Sequence, residues 1–420
     1  LAGPNPHLTP PAIELSHAEA RSVIGGLVYR GSKHPTLVDH YLFGDFVTGS
    51  VWASKWDGAA PQAYRKIADT RGSTIAFGTD RSGEILLVRD DGQIHRLVEA
   101  PPTVAATAEF PRKLSETGLF GDTATHEPAA GVIPYSIASG LWSDGANVRR
   151  LLGVPGAEAI ASDPEKENRW NLPDGSAVAR TLELPTVWGP RKVETQLMYR
   201  EHGTWQFYTY AWNEAQTDAD LVSDNGETRP VPGIADRSWR YSSRSECTIC
   251  HTEKTNGTIG LSAAQLNLDS DFGQLGRGIE NQISLLASVG LLRIDPANAS
   301  DPLPRKPSPS DPSLPLDARA RSYLDVNCAH CHRAGGVGGR AAFQLMDSIT
   351  LAETGAIGGQ PLVPLLGADA KIVAPGHPET SELMHRFSSK EGGRMPPIGS
   401  DRPDEVGIAL IRQWILQLPQ

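Results

Sequence analysis

Tyr323-Leu324-Asp325-Val326-Asn327-Cys328-Ala329-His330-Cys331-His332 carries a helical pattern into a Cys-x-x-Cys-His pentapeptide. Leu316, Ala320, Tyr323 and Leu324 stand at i, i+4, i+7 and i+8, one stripe of a helix. Further on, Asp401 and Pro403 open a segment in which Val406, Leu410, Ile411, Trp414 and Ile415 form a broad apolar face. One helix leading into the motif and one closing the chain predict an all-α domain over 317–420.

The pentapeptide occurs a second time, as Cys247-Thr248-Ile249-Cys250-His251, and the two copies take all 4 cysteines. Cysteines three apart lie about one helical turn from each other. Both sulfurs can then form thioethers to the two vinyl groups on one edge of a haem, with the next histidine on the iron. A zinc site needs four ligands per metal. An all-cysteine site drawn from both motifs would leave His251 and His332 unexplained. The repeated pattern therefore predicts two haem c groups. Cys247, Cys250 and His251 would hold the first, and Cys328, Cys331 and His332 the second.

For the second haem, Met395 is the expected sixth ligand, in Arg394-Met395-Pro396-Pro397-Ile398-Gly399. Met/His ligation raises a haem's reduction potential, because soft sulfur favours Fe(II). Met346 and Met384 read as packing residues, and His330, His377 and His385 as surface histidines. The first haem finds no methionine and no histidine but its own between Cys250 and Cys328. Met198 is the first candidate there, His202 the second and His126 a third; a strand methionine is ordinarily core.

Composition bounds the rest. The chain has 420 residues, enough for two to four domains. Gly (42) and Pro (33) are plentiful, which favours turn-rich β structure. The formal charge is −10 with no basic block, so nucleic acid is not an expected partner. An acidic surface suits a basic redox partner. No apolar run is long enough to span a bilayer. Leu1–Pro11 has no signal-peptide pattern, so an exported form would begin here after processing or belong to something longer.

Four regions follow. Residues 1–105 read as strands and turns, with Leu27–Tyr29 and Tyr41–Phe43 as short strands and Asp91-Gly92 as a hairpin turn between Glu84–Val88 and Gln93–Val98. Residues 106–260 read as a β-rich haem domain with strands at Ala177–Leu184, Val193–Tyr199 and Trp205–Trp212. Residues 261–316 read as helical at Leu261–Leu266 and Ile279–Leu292, followed by the proline-rich linker Pro302–Leu316. Residues 317–420 are the all-α domain. The fold expected is thus multidomain, mainly β over its N-terminal two-thirds and all-α at the C-terminus.

Several stretches resemble known families. Gly25-Gly-Leu-Val-Tyr-Arg-Gly31, Tyr41-Leu-Phe-Gly-Asp-Phe46 and Gly49-Ser-Val-Trp52 look like the closing part of the glucose/sorbosone dehydrogenase β-propeller, a six-bladed family that commonly binds pyrroloquinoline quinone (PQQ). About a quarter of such a propeller fits here, so PQQ is implied only where the missing blades are supplied. The Pro-Asp-Gly turn, strand and Cys-x-x-Cys-His of residues 130–255 are similar to the cytochrome c′-beta group, which implies an open or apolar distal face on the first haem. The C-terminal helices with the Met395 loop resemble a class I cytochrome c. From Phe110 onward, Phe110–Phe120, Gly131–Tyr135, Leu141–Ala146, Tyr210–Asn213 and Tyr323–His332 look like a family of exported bacterial di-haem proteins of mostly unknown function.

The reading these support is a di-haem cytochrome moving electrons outside the cytoplasm, in the periplasm or at the cell surface. Its expected donor is a quinone-dependent dehydrogenase and its acceptor a cytochrome or oxidase. One alternative is a haem enzyme or gas-binding protein with an open first haem, recruiting His202, Arg180 or Arg200. Another is a structural unit of an extracellular cytochrome assembly, an oligomer joined through an open β edge.

Overall fold

The computed structural model describes residues 11–16, 19–58, 60–70, 74–90, 92–99, 110–163, 169–252, 255, 257–293, 303–390 and 392–419. The chain forms two compact units, residues 1–109 and 110–420.

In the first unit, β1 (Val23–Val28), β2 (His40–Asp45), β3 (Ser50–Lys55) and β4 (Arg65–Asp69) make an antiparallel meander. The β2–β3 turn is set by Asp45, whose carboxylate accepts from the Val47 and Thr48 amides, and by Gly49 at φ +70°. A three-stranded sheet follows, of β5 (Thr74–Thr79), β6 (Ile85–Arg89) and β7 (Ile94–Arg96). The hairpin expected at Asp91-Gly92 joins β6 to β7, with Gly92 at φ +84°; Asp91 lies outside the described residues.

The second unit begins with a small hairpin, β8 (Phe120–Asp122) and β9 (Glu127–Pro128). Then come β10 (Val132–Pro134), β11 (Asn147–Gly153), β12 (Ile160–Asp163), β13 (Arg169–Asn171), β14 (Ala177–Thr186), β15 (Gly189–Glu201), β16 (Thr204–Trp212) and β17 (Ala219–Leu221). Six of these form one antiparallel sheet in the order β10-β11-β14-β15-β16-β17. The β15–β16 turn has positive φ at both His202 (+49°) and Gly203 (+74°). That is the primed geometry that matches strand twist.

Side chains alternate across this sheet. Leu151, Ala179, Leu197, Tyr208, Tyr210 and Trp212 pack one face with Leu114 and Phe120. The other face carries Leu152, Val178 and Met198, which pack with Leu261, Leu266, Leu285 and Leu286. The strand aromatics are thus mostly core, with Trp205 half-buried. A hairpin of β18 (Glu227–Pro230) and β19 (Ser238–Tyr241) leads into α1 (Arg244–Cys250).

The helical region after the first motif is shorter than its apolar spacing predicts. It comprises α2 (Ala263–Leu266) and α3 (Gln282–Ser288), and Ile279–Asn281 is a strand. Asn281 caps α3 by accepting from the Ile283 and Ser284 amides, which starts the helix there.

The all-α class I cytochrome c domain expected over 317–420 is not what forms. Helix there is limited, among the described residues, to α4 (Leu316–Cys328), α5 (Glu382–Ser388), α6 (Glu405–Gln417) and two single 3-10 turns at Gly339–Ala341 and Pro378–Thr380. Between α4 and α5 run turns and the parallel bridges Ile357–Val373 and Lys371–Ser381. Gly335, Gly336, Gly338 and Gly339, then Pro361, Pro364, Pro375 and Pro378, break every helical run in that stretch. The segment also shares one compact unit with the sheet. Mainly β is the right description of the chain.

The predicted stripes of α4 and α6 do meet. Ala320, Tyr323 and Leu324 pack with Leu410, Ile411, Trp414 and Ile415, while Val406 stays exposed. The Tyr323 hydroxyl donates to Asp404 at 2.7 Å and the Trp414 indole to Asp317 at 2.8 Å. The proline-rich stretch is pinned rather than free where it is described. Lys306 lies between Asp325 (2.5 Å) and Asp347 (2.8 Å), and the Pro307 and Pro309 carbonyls accept from Ser322 and Arg319.

Candidate functional site

The first motif is built by its cap. Ser243 accepts from the Glu246 amide at 3.1 Å, and the Glu246 carboxylate returns to the Ser243 amide at 2.7 Å, a capping box that starts α1 just before Cys247. Cys247 and Cys250 then share one turn, and His251 leaves the helix at φ −89°, ψ 68°. The His251 Nδ1 lies 2.7 Å from the Gly257 carbonyl. A carbonyl only accepts, so Nδ1 carries the proton and Nε2 is left as a ligand. Burial lowers the imidazole to about 4, which keeps it neutral and ligand-competent.

Gly257 is needed where it stands. Its φ is +68°, and a Cβ there would meet Trp205 Cδ1 at 2.1 Å. Phe207 packs against the histidine, with ring centroids 5.1 Å apart.

Cys247, Cys250 and His251 open onto a cavity of about 670 Å³ between the sheet and the last segment. That volume lies within the range of cofactor sites. Val178, Arg180, Gln196, Met198 and Phe207 wall it from the sheet, and Val326, Ala329 and His330 from α4 and the second motif.

In the second motif the His332 amide donates to the Cys328 carbonyl at 2.9 Å, and the Phe343 ring stacks on the imidazole at 4.5 Å. Gly338 leaves room for that imidazole, since a Cβ would lie 3.0 Å from Nδ1. This Nδ1 is buried and has no hydrogen-bond partner among the described residues.

The two motifs converge. The Cys250 Sγ, the Cys331 Sγ and a ring nitrogen of His330 all lie within 4.8 Å of one another. As free thiols, which stand in for the thioether sulfurs of a haem-loaded chain, the two cysteines share a hydrogen bond that pulls Cys331 down. Burial pushes Cys247 and Cys328 up to about 12.

Three donors fall one short of a structural zinc site. Cys247, Cys328, His251 and His332 stand outside the cluster. Haem attachment uses all four cysteines and both histidines. The first motif fits that group, with paired sulfurs one turn apart, a neutral histidine with its second nitrogen anchored and an adjoining cavity, whereas Cys328, Cys331 and His332 do not line that cavity.

Of the other expected residues, Met198 lines the cavity and stands opposite Phe207 in register. His202 is exposed in the β15–β16 turn. His126 sits on the far face of the sheet, bonded to Thr181 at 2.8 Å. Met395 is half-buried in the α5–α6 loop and does not line the cavity; its amide donates to the Arg386 carbonyl at 3.0 Å. Arg394 braces that loop through Ser400 and Arg402, and Asp144 accepts the Asp401 and Arg402 amides. Arg200 is held at the hairpin end by Asp174 and Trp205. His330 is not a surface histidine; only 9% of it is exposed.

Sequence reasoning missed Arg150, Glu194 and Gln196. Their signal was strand alternation: Val148, Arg150 and Leu152 share a face, so Arg150 points where its apolar neighbours do.

No family model matches the chain, and no solved structure matches it. Among the described residues no helix is long and apolar enough to cross a membrane.

Proposed function

We propose that this chain is a di-haem c-type cytochrome that relays electrons outside the cytoplasm, from a dehydrogenase to a downstream cytochrome or oxidase. The observation that carries this is the convergence of Cys250 and Cys331 to within 4.8 Å. Two bonds separate each thioether sulfur from its porphyrin ring. At about 1.5 Å per bond, the two ring edges would lie within roughly 11 Å of each other.

When bound, each haem supplies one Fe(III)/Fe(II) couple. The protein's part is to hold the two couples side by side. The cysteines fix the adjoining edges, His251 is oriented by the Gly257 carbonyl, and Phe207 and Phe343 pack the two histidines. Met395 would hold the second haem through its sulfur in this reading, on a loop that Arg394 and Asp144 hold in shape.

Circular dichroism of the oxidised holoprotein in the Soret region tests the relay. Two neighbouring haems give a bisignate band, and Cys328→Ser/Cys331→Ser, with one haem left, should give a single-signed one. A two-haem chain with a single-signed band would rule the close pair out.

A further inference from the structure

The cavity holds a charge arrangement that haem attachment leaves unexplained. Arg150 on β11 and Arg180 on β14 are directly opposite each other in register, and both line the cavity. Like charges directly opposite on a sheet are destabilising. Among the described residues neither forms an ion pair. Arg150 donates to the Val148 carbonyl at 3.3 Å, and Arg180 donates to Gln196 at 2.6 Å. Gln196 in turn donates to Glu194, which also accepts from Trp239, each at 2.8 Å. Glu194 stands one residue row from Arg180 and acts on it only at longer range, and among the described residues Arg150 uses one of its five N–H donors.

Tyr135 lines the same corner, and its amide donates to the Arg150 carbonyl at 3.1 Å. Of the other arginines and lysines of the lining, Arg305 is exposed, and three are engaged. Lys306 is bound by Asp325 and Asp347, Arg240 by Glu246, and Arg321 by the Asp347 and Ile349 carbonyls.

We infer that Arg150 and Arg180, with Tyr135 beside them, form a receptor for a carboxylate inside the cavity. A planar guanidinium fork matches a carboxylate, and two forks facing one cavity can take one oxygen each. Such an anion also removes the like-charge repulsion. Arg180 lies two residues along β14 from Val178, whose row runs through Met198 to Phe207 and His251. The receptor is therefore about 7 Å along the strands, and two to three strand spacings (about 10–14 Å) across them, from the row that ends at the first haem's histidine. The carboxylate can be a propionate of that haem, which rests on the function proposed above, or a small free carboxylate.

Formate titrated into the full chain, with and without haem, and into Arg150→Met separates these. Binding to the holoprotein that weakens at least tenfold in Arg150→Met identifies a free-carboxylate site. Formate excluded from the holoprotein, but bound by the haem-free chain and weakened tenfold in Arg150→Met, identifies a propionate site. In that case Arg150→Met also lowers the potential of one haem and leaves the other unchanged. Haem-free Arg150→Met should melt no lower than the parent chain, since a repulsive charge is gone. Formate binding equal in parent and variant, or absent from both forms, overturns the receptor. The haem count of the same preparations reports separately on the di-haem reading.

Discussion

Gly257→Ala tests how the fold presents the first histidine. Two costs are separable. An L-residue at φ +68° pays about 1–2 kcal/mol for the left-handed backbone. The added methyl meets the Trp205 ring at 2.1 Å, a distance only a shift of backbone or indole can relieve. Overpacking of that kind costs about 1–3 kcal/mol. Gly260 is the internal control, with φ +86° and nothing within 4 Å of its Cβ position. Gly260→Ala should therefore lose only the backbone share, and Gly257→Ala about 2–5 kcal/mol in all. Denaturant unfolding followed by circular dichroism measures both. Trp205→Ala removes the ring in the way, so in that background Gly257→Ala should cost only the backbone share. Because the Gly257 carbonyl holds His251, Gly257→Ala should also shift the potential of one haem while Gly260→Ala leaves it in place. Equal losses in Gly257→Ala and Gly260→Ala, with the Gly257→Ala loss unchanged in the Trp205→Ala background, would refute the packing argument.

His126 is held down to about 4 by burial, with Arg149 and Lys192 adding to it, against an unperturbed 6.5. Its folded value is depressed, so the protein keeps this stability above pH 6.5 and loses about 3 kcal/mol as pH falls toward 4. His126→Asn, compatible with φ +62°, should flatten the melting profile across that window. Lys306→Met leaves Asp325 and Asp347 facing each other without their cation and should cost about 3–5 kcal/mol in denaturant unfolding. Met395→Leu removes only a sulfur; in the reduced protein it should let carbon monoxide change about half of the haem spectrum and should lower one potential. A spectrum that ignores carbon monoxide in that variant would take Met395 off the iron.

Local pattern carried some of this structure and long-range pairing the rest. Alternation over Ala177–Leu184, Val193–Tyr199 and Trp205–Trp212 located β14, β15 and β16, and apolar stripes located α4 and α6. The stretch between α4 and α5 misled because two good helices imply a helical frame, whereas its glycines and prolines permit only turns. Those turns are ordered by single polar groups; Glu382, for example, accepts from the Leu365 and Leu366 amides. Arg150 escaped notice because its meaning depends on facing Arg180 across two strands. His330 escaped because nothing local says that it will be buried against Cys250, 80 residues away. The proline-rich stretch reads as a linker by composition, yet its carbonyls and Lys306 tie α4 in place.

The most direct test of the central claim is the mass of the denatured full chain after expression with a c-type haem maturation system. The account predicts two haems covalently bound, falling to one in Cys247→Ser/Cys250→Ser and to one in Cys328→Ser/Cys331→Ser. A chain of bare polypeptide mass that instead carries one zinc when native, lost in Cys250→Ser, would contradict it and make Cys250, His330 and Cys331 a metal site.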